Sequence, residues 1–247
     1  MKSNFKILVA ITGLALAALA CQAVSGGGDV EIPTIEVPEV PTFEVPTFEV
    51  PEIEIPTQSG GDVILSDDFS SAQWGIGTDV DSAVEYVDEA LQFIIFTKNW
   101  FVWSTPDGDD YENIHMEVTV INNDTDSTTA FGLMCNKSAG GDFYYAAVTA
   151  AGQYAIAKAV EGQADLFLTN NDAWADSDLI AVDASSYRVG ADCGNGTLTL
   201  YVDGKQIDSV TDSSFSSGQV AILAWSGEEA TNTNVSFDDF LMTELGQ

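Results

Sequence analysis

From Val63 onward the sequence predicts an all-β body, an antiparallel sandwich of two sheets. Three observations carry this. Short alternating or apolar runs are separated by clusters of Gly, Asn and Asp, the pattern of strands broken by turns. No stretch shows the sustained 3.6-residue apolar period of an amphipathic helix. The pair Asp203-Gly204 lies between the runs TLTLYV and KQIDSV, a strong hairpin signal because both central residues of a type I′ turn need positive φ. About a dozen short strands in about 185 residues fit two packed layers, and a chain of this size can bury a sizeable core.

In chain order, the first run is Leu91–Phe96, followed by Trp100–Ser104. Alternation in the second puts Trp100 and Val102 on one face and Phe101 and Trp103 on the other. One face must be core, so half of these aromatics are structural, and the rest are free to stack on a sugar ring. In Ile114–Ile121 the residues Ile114, Met116 and Val118 share one face, with His115 and Glu117 opposite. His115 is expected to be a solvated strand residue. Its functional alternative is a general base or half a metal site, but neither a second His nor a free Cys is present to complete a zinc site.

The runs Ala130–Cys135, Phe143–Thr149 and Tyr154–Val160 come next, with Tyr144 and Tyr145 on opposite faces of the second. Tyr187–Cys193 and Thr197–Val202 precede the Asp-Gly turn, and Val220–Trp225 comes near the end. Trp174 lies in the polar stretch 169–178, where it reads as a ligand contact or a loop anchor. Trp100, Trp103, Tyr144, Tyr145, Trp174 and His115 are therefore the candidate ligand-binding residues.

The first 60 residues differ from this body. Lys2 and Lys6 precede an apolar run closed by small residues, the layout of a secretory signal and too short for a comfortable membrane span. Residues 1–20 are read as a signal peptide. Between Cys21 and residue 60 lie six of the seven prolines of the chain, four of them in EVPEVPTFEVPTFEVP. Each Pro fixes its own φ and pushes its predecessor to extended backbone, which excludes helix. About 26 such residues at ~3.1 Å each would reach roughly 80 Å, so 21–60 reads as a stiff acidic stalk and 61–247 as the folded body. Phe43 and Phe48 are more than a bare spacer needs, and a partner-docking motif is the alternative.

Composition excludes one class of partner. Acidic residues number 39 against 7 basic, a formal net charge of −32, and nucleic-acid affinity comes mainly from Lys and Arg displacing counterions. The same charge leaves room for divalent cations. Export implies an oxidising compartment, where Cys135 and Cys193 suggest a disulfide, with two buried free thiols as the alternative.

Two resemblances add to this reading. Ala18-Leu19-Ala20-Cys21 resembles the lipobox of bacterial lipoproteins, although Leu is more usual where Ala18 stands. It implies acylation of Cys21, a membrane partnership through the acyl chains, and an exported chain facing outward, at the cell surface or in the periplasm. Asn123-Asp124-Thr125 and Asn195-Gly196-Thr197 match glycosylation acceptors, but that modification is not the default in a bacterial cell. Over residues 63–243, DDFSSAQW, AFGLMCNKSAGGDFYYAAVTAAGQYAIAK, YRVGADCGNGTLTLYVDGKQI, GQVAILAWS and VSFDDFLM resemble the laminin-G-like branch of the concanavalin A-like lectin/glucanase superfamily. The resemblance extends to the domains named after 3-keto-disaccharide hydrolases. It implies a jelly roll whose concave face often binds sugars.

Glucanases of that superfamily carry Glu-x-Asp-x-x-Glu on one strand, which sets two carboxylates at the separation of retaining hydrolysis. No such motif occurs here, and Glu85-Tyr86-Val87-Asp88-Glu89 has the wrong spacing and runs into a turn. No G-x-S-x-G elbow occurs either. Related sandwiches often hold a structural Ca²⁺, for which Asp67, Asp68, Asp238 and Asp239 are the candidate ligands. The leading expectation is a surface-anchored, non-catalytic module that recognises glycan. The alternatives are a glycoside-active hydrolase of the 3-keto-disaccharide type and a structural or adhesive protein-contact module.

Overall fold

The computed structural model describes residues 61–106, 108–124, 126–229 and 231–246. Cys21 and the segments 1–20 and 21–60, read from the sequence as a signal and a stalk, lie outside the described residues. The body is all-β: β1 (Val63–Asp67), β2 (Gly77–Thr78), β3 (Ser82–Val87), β4 (Ala90–Ile95), β5 (Phe101–Ser104), β6 (Ile114–Asn122), β7 (Ala130–Lys137) and β8 (Phe143–Thr149). Then follow β9 (Gln153–Ala159), β10 (Leu166–Phe167), β11 (Ala175–Asp176), β12 (Ser186–Gly194), β13 (Thr197–Val202), β14 (Lys205–Thr211), β15 (Gln219–Trp225) and β16 (Thr233–Glu244).

All nine strands read from the sequence form. They assemble into two antiparallel sheets, one of nine strands in the order β14-β13-β12-β6-β16-β4-β3-β2 with β1 on β16, the other of seven in the order β10-β9-β8-β7-β15-β5 with β11 on β9. Turn chemistry sets the registers. Asp203 and Gly204 take φ of 50° and 72°, and Asn195 and Gly196 take 53° and 70°, so β12, β13 and β14 form two successive tight hairpins. The acidic run at Glu85 ends in a turn as expected, with Asp88 and Glu89 at φ of 51° and 61°.

The main core fills the space between the sheets. Ile114, Met116 and Val118 of β6 are buried there, as are Phe93 and Phe237, whose rings meet edge-on at 5.0 Å. Cys135 of β7 and Cys193 of β12 form a disulfide with Cα atoms 6.5 Å apart, which ties one sheet to the other through this core. Among the described residues, both sheets, the core and the disulfide lie within residues 61–246.

A second apolar cluster lies on the outward face of the seven-stranded sheet. Ala130, Met134, Tyr145, Ala147, Ala157, Ala221 and Leu223 are buried there, with Phe101, Phe143, Phe167, Trp174 and Trp225 packed against them. An antiparallel sheet with one solvated face ordinarily alternates apolar and polar residues; β7, β8 and β15 are apolar on both faces. Gly132 belongs to this face of β7 and admits no side chain: a Cβ would lie 2.0 Å from the Ala146 carbonyl oxygen and 2.8 Å from the Ala147 Cα. Gly132→Ala is therefore expected to destabilise the body by about 1–3 kcal/mol, read as a lowered thermal midpoint. An unchanged midpoint would show that the sheet relaxes freely at this point.

Candidate functional site

The outward apolar face is shaped into a cleft of about 360 Å³, within the range of small-molecule sites at ~300–1,000 Å³. Small residues make its floor: Ala130 on β7 and Ala147 on β8, with Leu223 on β15. Aromatic rings make its walls. Phe101 of β5 lies opposite Trp225 of β15 in the strand register, and its ring is 6.2 Å from Phe143 and 5.9 Å from Tyr145. Across the cleft, Phe167 of β10 packs 5.9 Å from Trp174, which lies near-parallel to Trp225 at 6.4 Å.

Local structure holds these rings in place. Asn170, Asn171 and Asp172 all have positive φ, of 44°, 54° and 65°, so the chain turns sharply after β10 and brings Trp174 back over the sheet. Asn170 Nδ2 donates to the Trp174 carbonyl at 2.6 Å, and the Phe167 amide donates to Asp172 Oδ1 at 2.9 Å. On the opposite rim, Trp225 Nε1 donates to Asn99 Oδ1 at 3.2 Å. The phenol of Tyr145 donates to Asp165 Oδ2 at 3.0 Å. Burial, then the Asp165 charge and this hydrogen bond, push the Tyr145 phenol far above its usual range, so it stays a neutral donor. The polar groups lining the cleft are thus Asn99, Asp165 and the Tyr145 hydroxyl, all tied to an aromatic wall.

The residues read from the sequence divide among several places. Tyr145 and Trp174 line the cleft. Tyr144 does not: it is buried between the sheets, its hydroxyl donating to Asp212 Oδ1 at 2.5 Å, because neighbouring strand residues face opposite ways. Trp103 is half exposed and lines a shallow groove of about 460 Å³ along the sandwich edge with Ile76 and Val102. Trp100 is exposed and precedes β5, outside the cleft lining. The sequence reading passed over Phe143, Phe167, Trp225, Asn99 and Asp165. It placed Phe101 correctly opposite Val102 but did not select it.

His115 is a correction. It lies on the outward face of the nine-stranded sheet, but it is 1% exposed rather than solvated. Neighbouring strands cover it: β12 brings Asp192 opposite it, and the Tyr201 ring of β13 meets it edge-on at 5.9 Å. His115 Nδ1 is 2.6 Å from Asp192 Oδ1, and Nε2 is 3.2 Å from Glu117 Oε1. The second contact is an ion pair without hydrogen-bond alignment. Arg188 Nε reaches Glu117 Oε2 at 3.2 Å, and Tyr201 donates to Asp192 Oδ2 at 2.7 Å. Burial alone would lower the His115 pKa, but the hydrogen bond to Asp192 and the charges of Asp192 and Glu117 outweigh it and raise it to about 9.

The sign for stability follows. With a folded pKa of about 9 against an unfolded value of about 6.5, the charged imidazolium contributes fully below pH ~6.5 and is lost as pH rises through ~9. The expected result is a thermal midpoint that falls between pH 6.5 and 9.5, a loss of roughly 2–3 kcal/mol, with the slope flattened in His115→Gln. A slope that survives in the variant would assign it to another group.

The four aspartates proposed for metal lie near one another, since β1 pairs with β16, but they serve the chain. Asp67 is buried and accepts from the Phe69 amide and Trp74 Nε1 at 2.8 and 3.0 Å. Asp68 caps the Ser70 amide at 3.0 Å, Asp238 accepts from the Asp239 amide at 2.7 Å, and Asp239 pairs with Arg188. Among the described residues no group of three or more His, Cys, Asp or Glu is arranged to hold a metal ion.

No protein-family model matches the chain, and no curated protein is similar to it in sequence. Solved structures do superpose on it. A carbohydrate binding module (CBM66) from Bacillus subtilis aligns at 18% identity and TM-score 0.56, covering 71% of this chain and 99% of its own. A Bacillus subtilis protein of unknown function with a galectin-like fold aligns at 11% identity and TM-score 0.56, covering 74% and 96%. A β-glucanase from Bacillus licheniformis aligns at 10% identity and TM-score 0.53, covering 76% and 100%. The body is a two-sheet antiparallel jelly-roll sandwich. At these identities the likeness is one of fold, and the site must be argued from its own residues.

Proposed function

We propose that this chain is a non-catalytic glycan-binding module and that the aromatic cleft of the seven-stranded sheet is its sugar site. One observation carries the reading: an outward sheet face with a floor of small residues, walls of Phe101, Tyr145, Trp174 and Trp225, and hydrogen-bonding groups fixed at the rim. Sugar rings present apolar C–H faces and a polar edge, which suits such a surface. That a carbohydrate binding module and glucanases share the fold supports a glycan-related role. A retaining hydrolase needs two carboxylates about 5–5.5 Å apart, whereas the described lining holds one, Asp165; this favours binding over hydrolysis. The lipobox-like Cys21 and the Pro-rich segment 21–60 support a further part of the proposal, that an acyl anchor and stalk hold the module outward from a membrane.

The test is a glycan array probed with residues 61–247 and with the same body carrying Trp174→Ala and Trp225→Ala. The expected outcome is a small set of related glycans retained by the first and lost by the second. Retention of no glycan by the intact body would overturn the proposal.

A further inference from the structure

Glycan recognition leaves open which sugars the cleft accepts, and the charge around it narrows the class. Of the chain's 39 acidic residues, 31 lie in residues 61–247, against five of its 7 basic ones. Three of those five are committed elsewhere: Lys98 to Glu229, Lys158 to Asp212, and Arg188 to Glu117 and Asp239. Among the described residues lining the cleft there is no Lys, Arg or His, and the one charged group is Asp165.

Asp165 is an exposed residue of the cleft lining. Its Oδ2 accepts from the Tyr145 hydroxyl, and among the described residues no hydrogen bond is made to Oδ1. A carboxylate beside Trp and Tyr faces attracts a cation twice over, by direct charge and by the quadrupoles of the rings. The negative field of the whole body concentrates cations and repels anions at the same mouth.

We infer that the cleft selects sugars bearing a free ammonium group, with Asp165 as the specificity-determining residue and the Trp174–Trp225 wall as its aromatic complement. This rests on the glycan-binding reading and names the substrate class within it: 2-amino sugars first, N-acetylated or neutral sugars next, uronates and sulfated sugars excluded. An N-acetyl group removes the charge while leaving the ring, so the difference between the two sugars isolates Asp165.

The experiment is calorimetric titration of residues 61–247 with 2-amino-2-deoxyhexose oligomers of the gluco and galacto series, their N-acetylated counterparts, and hexuronate oligomers. The amine form is expected to bind about tenfold tighter than the N-acetyl form, with no binding of the uronate. That ratio should collapse in Asp165→Asn, and also in the unaltered body at about 1 M salt, where the screening length falls to ~3 Å. Equal affinity for amine and N-acetyl forms, or a preference that survives Asp165→Asn, overturns this inference and leaves the glycan reading standing. Failure of every sugar to bind overturns both.

Discussion

Trp174→Ala combined with Trp225→Ala is expected to weaken glycan binding more than a hundredfold while leaving the melting temperature within a few degrees. The two rings lie near-parallel at 6.4 Å on the outward face of the seven-stranded sheet, outside the core that holds the sheets together. Buried aromatic anchors of a binding site commonly contribute ~2 kcal/mol or more each, and a hundredfold is about 2.7 kcal/mol. Their loss removes the wall a sugar ring would lie against and leaves the floor of Ala130 and Ala147 open to water. Titration with the best glycan from the array reads the first effect and thermal melting the second. A collapse of the fold with loss of binding would make the pair structural. Retained binding in a folded variant would move the site elsewhere.

This cleft was half legible in the sequence, for a definable reason. Alternation assigned Val102 to one side and Phe101 and Trp103 to the other, and split Tyr144 from Tyr145. It could not say which of two apolar faces was core. The missed signal was continuity: AFGLMC, FYYAAV and VAILAW are apolar at successive positions, which marks strands covered on both faces. Phe143, Tyr145 and Ala147, spaced by two, and Leu223 with Trp225 would have followed from that. Phe167, Asp165 and Asn99 were beyond reach, because loops after β9 and before β5 bring them to the rim, and only the folded sheet order sets that approach.

His115 failed for a different reason. Strand periodicity gives the side a residue faces but not what covers it. β12 and β13 set Asp192 and Tyr201 against the imidazole and Arg188 against its partner Glu117, and their registers depend on hairpins at Asn195-Gly196 and Asp203-Gly204. The first of these turns was hidden in plain view, since Asn195-Gly196-Thr197 also matches a glycosylation acceptor. The fold itself was the most legible property, because every strand and turn pointed to one architecture.

Removal of the disulfide is expected to produce the largest loss of stability. Cys135 and Cys193 are separated by 58 residues, and closing a loop of that length restricts the unfolded chain by about 4 kcal/mol. Each cysteine is almost fully buried, so Cys135→Ala with Cys193→Ala should add only a small cavity cost. For a body of this size, ~4 kcal/mol corresponds to a fall in thermal midpoint of roughly 8–16 °C. The reduced unaltered body should fall by a similar amount, which separates loss of the cross-link from loss of side-chain volume. A fall of less than ~2 °C in both samples would mean that the bridge constrains little that the core does not already hold.

The measurement closest to the central claim uses the five tryptophans of the chain as reporters. In a nitrogen–proton correlation spectrum of residues 61–247, each indole N–H gives its own peak, followed during titration with the best glycan from the array. The peaks of Trp174 and Trp225 are expected to shift together and saturate at one affinity. Trp74, buried and bonded to Asp67, and Trp100, outside the cleft lining, should remain still. Shifts at Trp103 or Trp100 with Trp174 and Trp225 unmoved would place the ligand away from the aromatic cleft and contradict the assignment of the site.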